Sequence, residues 1–207
     1  MYYQFDGDNS ATNFPDYGTF SSDLILHSSN TSVAPLYATT NGARDFGGVG
    51  LSHGYNSSLF VAPAQNYSYE IIFSTTSTNV GICEFNSDSS GNGGSWDRSL
   101  NVTSSGQLEF YYFSGGFRYL TSPLTYNDGN PHHVVITHQS NNPKMYVDGV
   151  EVASGIGNTA QYFALILIGY SKNNGNNFVG TIDEFVYYIN RVLTPQEIAD
   201  RYALLTS

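Results

Sequence analysis

Basic residues are scarce in this chain: 7 Lys plus Arg stand against 17 Asp plus Glu in 207 residues, a net charge of −10. A surface so poor in cations repels phosphate backbones and anionic headgroups, which excludes nucleic acid as a partner and disfavours anionic membranes. Cys83 is the only cysteine, so no internal disulfide can form. Its Gly-Ile-Cys-Glu-Phe setting reads as a strand, with a buried and inert thiol. No apolar run approaches the roughly 20 residues a helix needs to cross a bilayer, so membrane insertion is not expected. The opening MYYQFDGDNS has no basic region, apolar core or cleavage site, so it is not a signal peptide, and synthesis in a cytoplasm is expected. There is no Gly-x-Ser-x-Gly elbow and no zinc spacing of Cys and His. Glu70, Glu84 and Glu109 each sit on a different predicted strand with no second carboxylate on it, so a paired-carboxylate mechanism has no local signature.

What is plentiful points to strands. Aromatic residues make up 15% of the chain, and 21 glycines punctuate it, the one favouring pleated structure and the other the turns between. Short predicted strands occupy 2–5, 67–74, 80–85, 99–102, 107–113, 117–120, 132–137, 163–170 and 181–189. Residues 67–74 (YSYEIIFS) alternate, with Tyr69, Ile71 and Phe73 on one face and Ser68, Glu70 and Ile72 on the other. Residues 163–170 (FALILIGY) are apolar almost throughout, as in a strand covered on both sides. Asp148-Gly149, between Met145–Val147 and Val150–Val152, suits a type I′ hairpin. Asn141-Asn142-Pro143 reads as a turn, and residues 86–98 (NSDSSGNGGSWDR) as the longest polar loop. Near the end, Thr194 can cap a short helix, with Pro195 at its first position and Glu197 completing a capping box. No repeat or linker interrupts the pattern, so one domain over residues 1–207 is expected.

The run HHVVITHQSNNPKMYVDGVEVASG from His132, with GTIDEFVYYINRVLTPQE further on, resembles the laminin-G-like, concanavalin A-like jelly-roll family. The matching pieces are the His-His-Val strand, the Tyr-Val-Asp-Gly hairpin, Gly-x-Ile-Asp-Glu and the Arg-x-Leu-Thr helix start. The resemblance implies an all-β, antiparallel two-sheet β-sandwich with a short C-terminal helix. It also implies that the His132–His133 pair is structural. Strand neighbours point to opposite faces, so these two histidines do not share one metal ion. His138 reads as a surface residue.

Relatives of this fold include glycoside hydrolases with Glu-x-Asp-x-x-Glu on one strand, a pattern absent here, so the chain is expected not to be an enzyme. The family often holds one Ca²⁺. Its late acidic position corresponds to Asp183, and Asp6 ends the first predicted strand, so these two are the expected metal ligands, with carbonyl oxygens completing the shell. Ligand contacts are expected from polar loops: Trp96, Asp97 and Arg98 in one, and Tyr170, Asn173 and Asn174 in another. Tyr111, which alternates away from Phe110 and Tyr112, joins them, and Phe117 and Tyr119 are placed similarly. The function these features suggest is a non-catalytic, lectin-like module that binds cell-surface glycans. The Gly-, Asn-, Ser- and Tyr-rich composition is similar to that of a virion surface component, such as a bacteriophage capsid decoration or tail-fibre protein. Its partners would then be glycans, other virion or capsid proteins, and further copies of itself, whose multivalency strengthens weak sites. The competing reading is a capsid-stabilising protein without sugar binding.

Overall fold

The computed structural model describes residues 2–4, 13–14, 24–25, 31–33, 36, 43–46, 51–52, 66–87, 96–158, 163, 165–172 and 176–207. The early strands are β1 (Tyr2–Gln4), β2 (Asn13–Phe14), β3 (Leu24–Ile25), β4 (Thr31–Val33), β5 (Ala43–Asp45) and β6 (Leu51–Ser52). The longer ones follow: β7 (Asn66–Ser74), β8 (Val80–Asn86), β9 (Trp96–Val102), β10 (Gln107–Phe113), β11 (Phe117–Thr125) and β12 (His132–Gln139). Then come β13 (Asn142–Val147), β14 (Val150–Ser154), β15 (Leu165–Ile168), β16 (Tyr170–Ser171), β17 (Asn176–Asn177), β18 (Thr181–Ile189) and the helix α1 (Pro195–Leu205).

Two antiparallel sheets face each other. Eight strands form the larger, in the order β14-β13-β12-β7-β18-β5-β4, with β1 also on β18; six form the smaller, in the order β11-β10-β9-β8-β15-β6. The chain is thus nearly all β, a jelly-roll sandwich with one short C-terminal helix, as the sequence led us to expect.

Alternation explains the core. Tyr69, Ile71 and Phe73 of β7 point inward with Val134, Ile136, Phe185 and Tyr187, and meet Ile82, Phe85, Leu100, Phe110 and Ile166 of the opposite sheet. The Tyr69 ring lies 5.4 Å from Phe85 and 6.0 Å from Phe185. Each such side chain contributes about 1.5–3 kcal/mol on burial, so this aromatic layer carries most of the inter-sheet adhesion. Cys83 is part of it, and burial pushes its thiol up to about 12, which accounts for the expected inertness.

The larger sheet is also covered outside. Val135 and Tyr146 on its outer face pack with Leu193 and Ile198, and the Leu193 amide donates to Ser68 Oγ at 2.9 Å. Thr194 and Glu197 form the reciprocal capping box, with Pro195 at the helix start. Asp148 and Gly149 turn the β13–β14 hairpin with φ of 52° and 81°, the geometry a type I′ turn requires.

Four local expectations shift. The β12–β13 turn is Ser140-Asn141, with φ of 45° and 74°, and Asn142 and Pro143 already belong to a strand. The β11 strand runs on to Thr125, past the expected Leu120. Both ends of the expected 86–98 loop are strand, because Asn86 pairs with Trp96. His138 is buried, stacked on Tyr67 with ring centroids 5.2 Å apart, and its Nε2 meets the Gly157 carbonyl at 2.9 Å. Inward alternation from Val134 and Ile136 carries it into the core.

Candidate functional site

The outer face of the six-stranded sheet is where unspent chemistry collects. On β10, Leu108, Phe110 and Tyr112 go to the core, so Glu109, Tyr111 and Phe113 face outward. Register aligns Tyr111 with Ser99 on one side and Tyr119 on the other, and Phe113 with Phe117. The rings touch across the strands: Tyr111 is 5.5 Å from both Phe117 and Tyr119, and Phe113 is 6.0 Å from Phe117. Tyr111 is buried beneath its neighbours, whereas Phe117 is 62% and Tyr119 50% exposed. Burial raises the Tyr111 phenol to about 12, so it remains a neutral hydroxyl at physiological pH. Because β11 is an edge strand with no covering helix among the described residues, its outward rings stay open to solvent.

Polar groups lie beside the rings. Glu84 is fully buried, and Oε2 accepts from the Ser99 and Ser171 hydroxyls at 3.1 Å each. Asn86 shares that face, its amide 3.5 Å from Glu84 Oε1. Asn101 pairs with Glu109 in register and is buried, yet neither its amide nitrogen nor its oxygen has a hydrogen-bond partner among the described residues. Such a group costs free energy unless something binds it. Burial raises the carboxyl pKa of half-exposed Glu109.

The expected contact residues divide. Trp96 is half-buried at the start of β9, with the Lys172 ammonium 5.7 Å from its ring centroid. Its pairing with Asn86 puts it on the outer face, at the end where Phe113 lies. Phe113, Phe117 and Tyr119 form one aromatic band with Tyr111, and Trp96 lies on the same sheet face toward its Phe113 end.

Asp97 and Arg98 do not join it, which corrects the loop assignment. Arg98 has φ of 55°, and a bulge between β8 and β9 turns its side chain inward. There the guanidinium lies 5.0 Å from the Tyr67 ring centroid and 5.2 Å from that of Phe163, with Nη1 3.4 Å from the Tyr187 hydroxyl. Asp97 Oδ2 is 3.5 Å from Arg98 Nε, and its Oδ1 accepts from the Phe113 amide at 2.9 Å. Both are buried structural groups, out of a ligand's reach.

Tyr170 is half-buried and pairs with Asn177 on β16, whose next residues reach the band's side of the sheet through Ser171 on Glu84 and Lys172 on Trp96, while Asn173 and Asn174 lie outside the described residues. Asp183 is fully buried, and the Leu36 amide donates to its Oδ2 at 2.8 Å. Asp6 lies outside the described residues. Among those described, no three His, Cys, Asp or Glu side chains gather as a metal cluster.

Residues 37–199 match the model of the concanavalin A-like lectin/glucanases superfamily. The chain belongs to this superfamily. No curated protein matches it in sequence. Solved structures share its fold at low identity. Domain 4 of AbnA, a GH43 extracellular arabinanase from Geobacillus stearothermophilus solved with arabinotriose, is 18% identical, with a TM-score of 0.64 over 99% of this chain and 97% of that one. The binding domain of botulinum neurotoxin serotype D is 15% identical, with a TM-score of 0.69 over 98% of this chain and 51% of that one. Trypanosoma rangeli sialidase in complex with the inhibitor DANA is 17% identical, with a TM-score of 0.65 over 99% of this chain but only 32% of that one. The chain spans about half the length of the neurotoxin binding domain and about a third of the sialidase.

Proposed function

We propose that the chain is a non-catalytic carbohydrate-binding module that recognises cell-surface glycans on the outer face of its six-stranded sheet. The observation that carries this is the aromatic band: Phe117 and Tyr119 expose their rings around buried Tyr111, with Trp96 and Phe113 at the same end. Exposed rings stack on the C–H faces of sugars, while half-exposed Glu109 offers a polar group beside them. The superfamily assignment and the arabinotriose complex of AbnA domain 4 support the same reading.

Carboxylate placement supports a binding role over hydrolysis. Glu84 on β8 and Glu109 on β10 are separated by two strand spacings and two residues, about 12 Å between backbones. A glycosidase pair stands roughly 5–9.5 Å apart measured between carboxyl groups, so these two would have to lean toward each other to meet it. Glu84 is in addition tied to two serine hydroxyls.

Calcium at Asp183 with Asp6 is a separate proposal. The β1–β18 register runs from Tyr2↔Val186 to Gln4↔Glu184, which directs the first strand toward Asp183. The described residues alone do not make a calcium shell. They offer one carboxylate, already accepting an amide, where the ion takes six to eight oxygens. The virion-surface role rests on composition, and mass spectrometry of purified particles decides it.

A glycan array, followed by titration calorimetry on whatever binds, tests the sugar site. Binding is expected in the wild type and lost in Phe117→Ala/Tyr119→Ala. Binding that survives that double substitution undiminished sinks the proposal.

A further inference from the structure

A cavity of about 590 Å³ opens on the other side of the molecule, between the outer face of the larger sheet and the segment leading into α1. One wall is strand surface. Register sets Gln139 opposite Asn142 and Thr137 opposite Lys144, so these four side chains stand in two adjacent rows. The facing wall is Leu193, Thr194 and Pro195. Both walls are fixed in place. The Leu193 amide is tied to Ser68 Oγ at 2.9 Å, and Asn142 Nδ2 donates to the Gln139 and Ser140 carbonyls at 3.2 and 3.0 Å.

The volume is that of a small-molecule site, which typically spans roughly 300–1,000 Å³. The chemistry of the lining selects among ligands. Thr137, Gln139 and Ser140 make no side-chain hydrogen bond to other described residues, so a hydroxyl, an amide and a second hydroxyl remain to donate and accept. Leu193 and Pro195 supply an apolar floor. The cation at the rim is neutralised: Lys144 Nζ is 2.8 Å from Glu151 Oε2, which the Tyr146 hydroxyl also approaches at 3.3 Å. An anionic ligand would have to displace that carboxylate, and an aliphatic one would leave the amide and hydroxyls unsatisfied. Neutral, two-way hydrogen-bonding groups over an apolar strip match the alternating C–H and O–H faces of an uncharged sugar.

We propose that this cavity is a second saccharide site, for a neutral sugar unit, opposite the aromatic band and independent of it. With both sites filled, one chain engages glycans from two sides, and linked sites gain avidity without any new contact.

The test is an NMR titration of the full chain with arabinotriose and lactose as neutral probes and sialyllactose as an anionic one. The proposal expects a neutral probe to shift the backbone amides of Thr137, Gln139, Ser140 and Asn142 in a saturable way at millimolar concentration. Those shifts persist in Phe117→Ala/Tyr119→Ala, so failure of the band and failure of the cavity are distinguishable. They weaken about tenfold in apparent affinity in Gln139→Ala/Ser140→Ala, which removes exposed groups and spares the core. The proposal is overturned if no probe shifts these amides, if only sialyllactose does, or if the shifts vanish with the aromatic-band substitutions.

Discussion

Arg201, on the C-terminal helix, donates through Nε to Glu70 Oε2, on a central strand of the larger sheet, at 2.9 Å. The same carboxylate takes the Tyr188 hydroxyl at 2.6 Å and His133 Nε2 at 3.1 Å, so one buried anion anchors the helix to three strands. Removing the buried carboxylate from such a network leaves its partners unpaired, which costs about 3–5 kcal/mol, and Glu70→Gln should lower stability by that order in urea unfolding. Arg201 is 39% exposed and Glu70 keeps two partners without it, so Arg201→Ala should cost about 1–3 kcal/mol. The double variant should cost less than their sum.

The same carboxyl sets an acid limit on stability. Burial alone would raise its pKa, but the hydrogen bonds from His133 and Arg201 overcome it and hold Glu70 at about 2. A depressed carboxyl contributes stability above its unfolded value near 4.5 and loses it as pH falls toward 2. The difference amounts to about 3 kcal/mol. Unfolding free energy should therefore fall between pH 4.5 and 2, and Glu70→Gln should flatten that limb.

His132 has the opposite sign. Burial pulls its pKa down, yet Asp148 at 2.8 Å and Asp128 at 3.1 Å outweigh burial and raise it. A raised imidazole adds stability below its unfolded pKa of about 6.5 and loses it as pH rises through the folded value. An NMR titration should place His132 above 6.5, and Asp148→Asn should bring it down. A wild-type midpoint at or below 6.5 would refute the clamp.

Arg98 lies among Tyr67, Phe163 and Tyr187, so its role is packing and charge compensation. Arg98→Ala should destabilise the fold by about 3–5 kcal/mol, because it strands Asp97 and opens the aromatic layer. Glycan affinity of the fraction that remains folded should be unchanged. A specific loss of binding in a fully folded Arg98→Ala protein would return this residue to the recognition site.

Exposed and buried members of the aromatic band should respond differently. Phe117→Ala and Tyr119→Ala remove open rings and should alter stability by no more than about 0.5 kcal/mol while abolishing binding. Tyr111→Ala should cost about 3–5 kcal/mol, as for any large buried ring.

Calcium has a direct assay. With an ion beside Asp183, EDTA lowers the melting temperature, added calcium restores it, and Asp6→Asn removes the response. A melting temperature indifferent to EDTA leaves Asp183 as the acceptor for the Leu36 amide and retires the ion.

Much of this was legible in sequence where the cause is local. Asp148-Gly149 dictates its hairpin and Thr194 with Glu197 its capping box, because each depends on residues a few positions apart. The strict alternation of residues 67–74 named the core face of β7 for the same reason. Trp96-Asp97-Arg98 misled because a positive φ at Arg98 and a bulge against β8 decide which way those side chains point, and neither leaves a mark in the polar run that precedes them. The alternation of Tyr111 against Phe110 and Tyr112 signalled an outward ring. The openness of Phe117 and Tyr119 did not show, since it follows from β11 lying at a sheet edge. The cavity beside Leu193 was equally silent, being formed by segments some fifty residues apart.

The order in which the larger sheet can be assembled follows from the position of β18. This strand sits inside the sheet, bonded to β7 on one side and to β1 and β5 on the other, yet it is the last strand in the chain. A ribosome has therefore delivered every other strand before the piece that joins them exists. Until residue 189 emerges, β7 presents a long unpaired edge to its neighbours, the kind of surface that seeds aggregation. Pairings across nearly the whole sequence also close slowly. Chains cut short before Thr181 should accumulate as insoluble material, and solubility should return only in chains that carry both β18 and the helix covering the sheet's outer face.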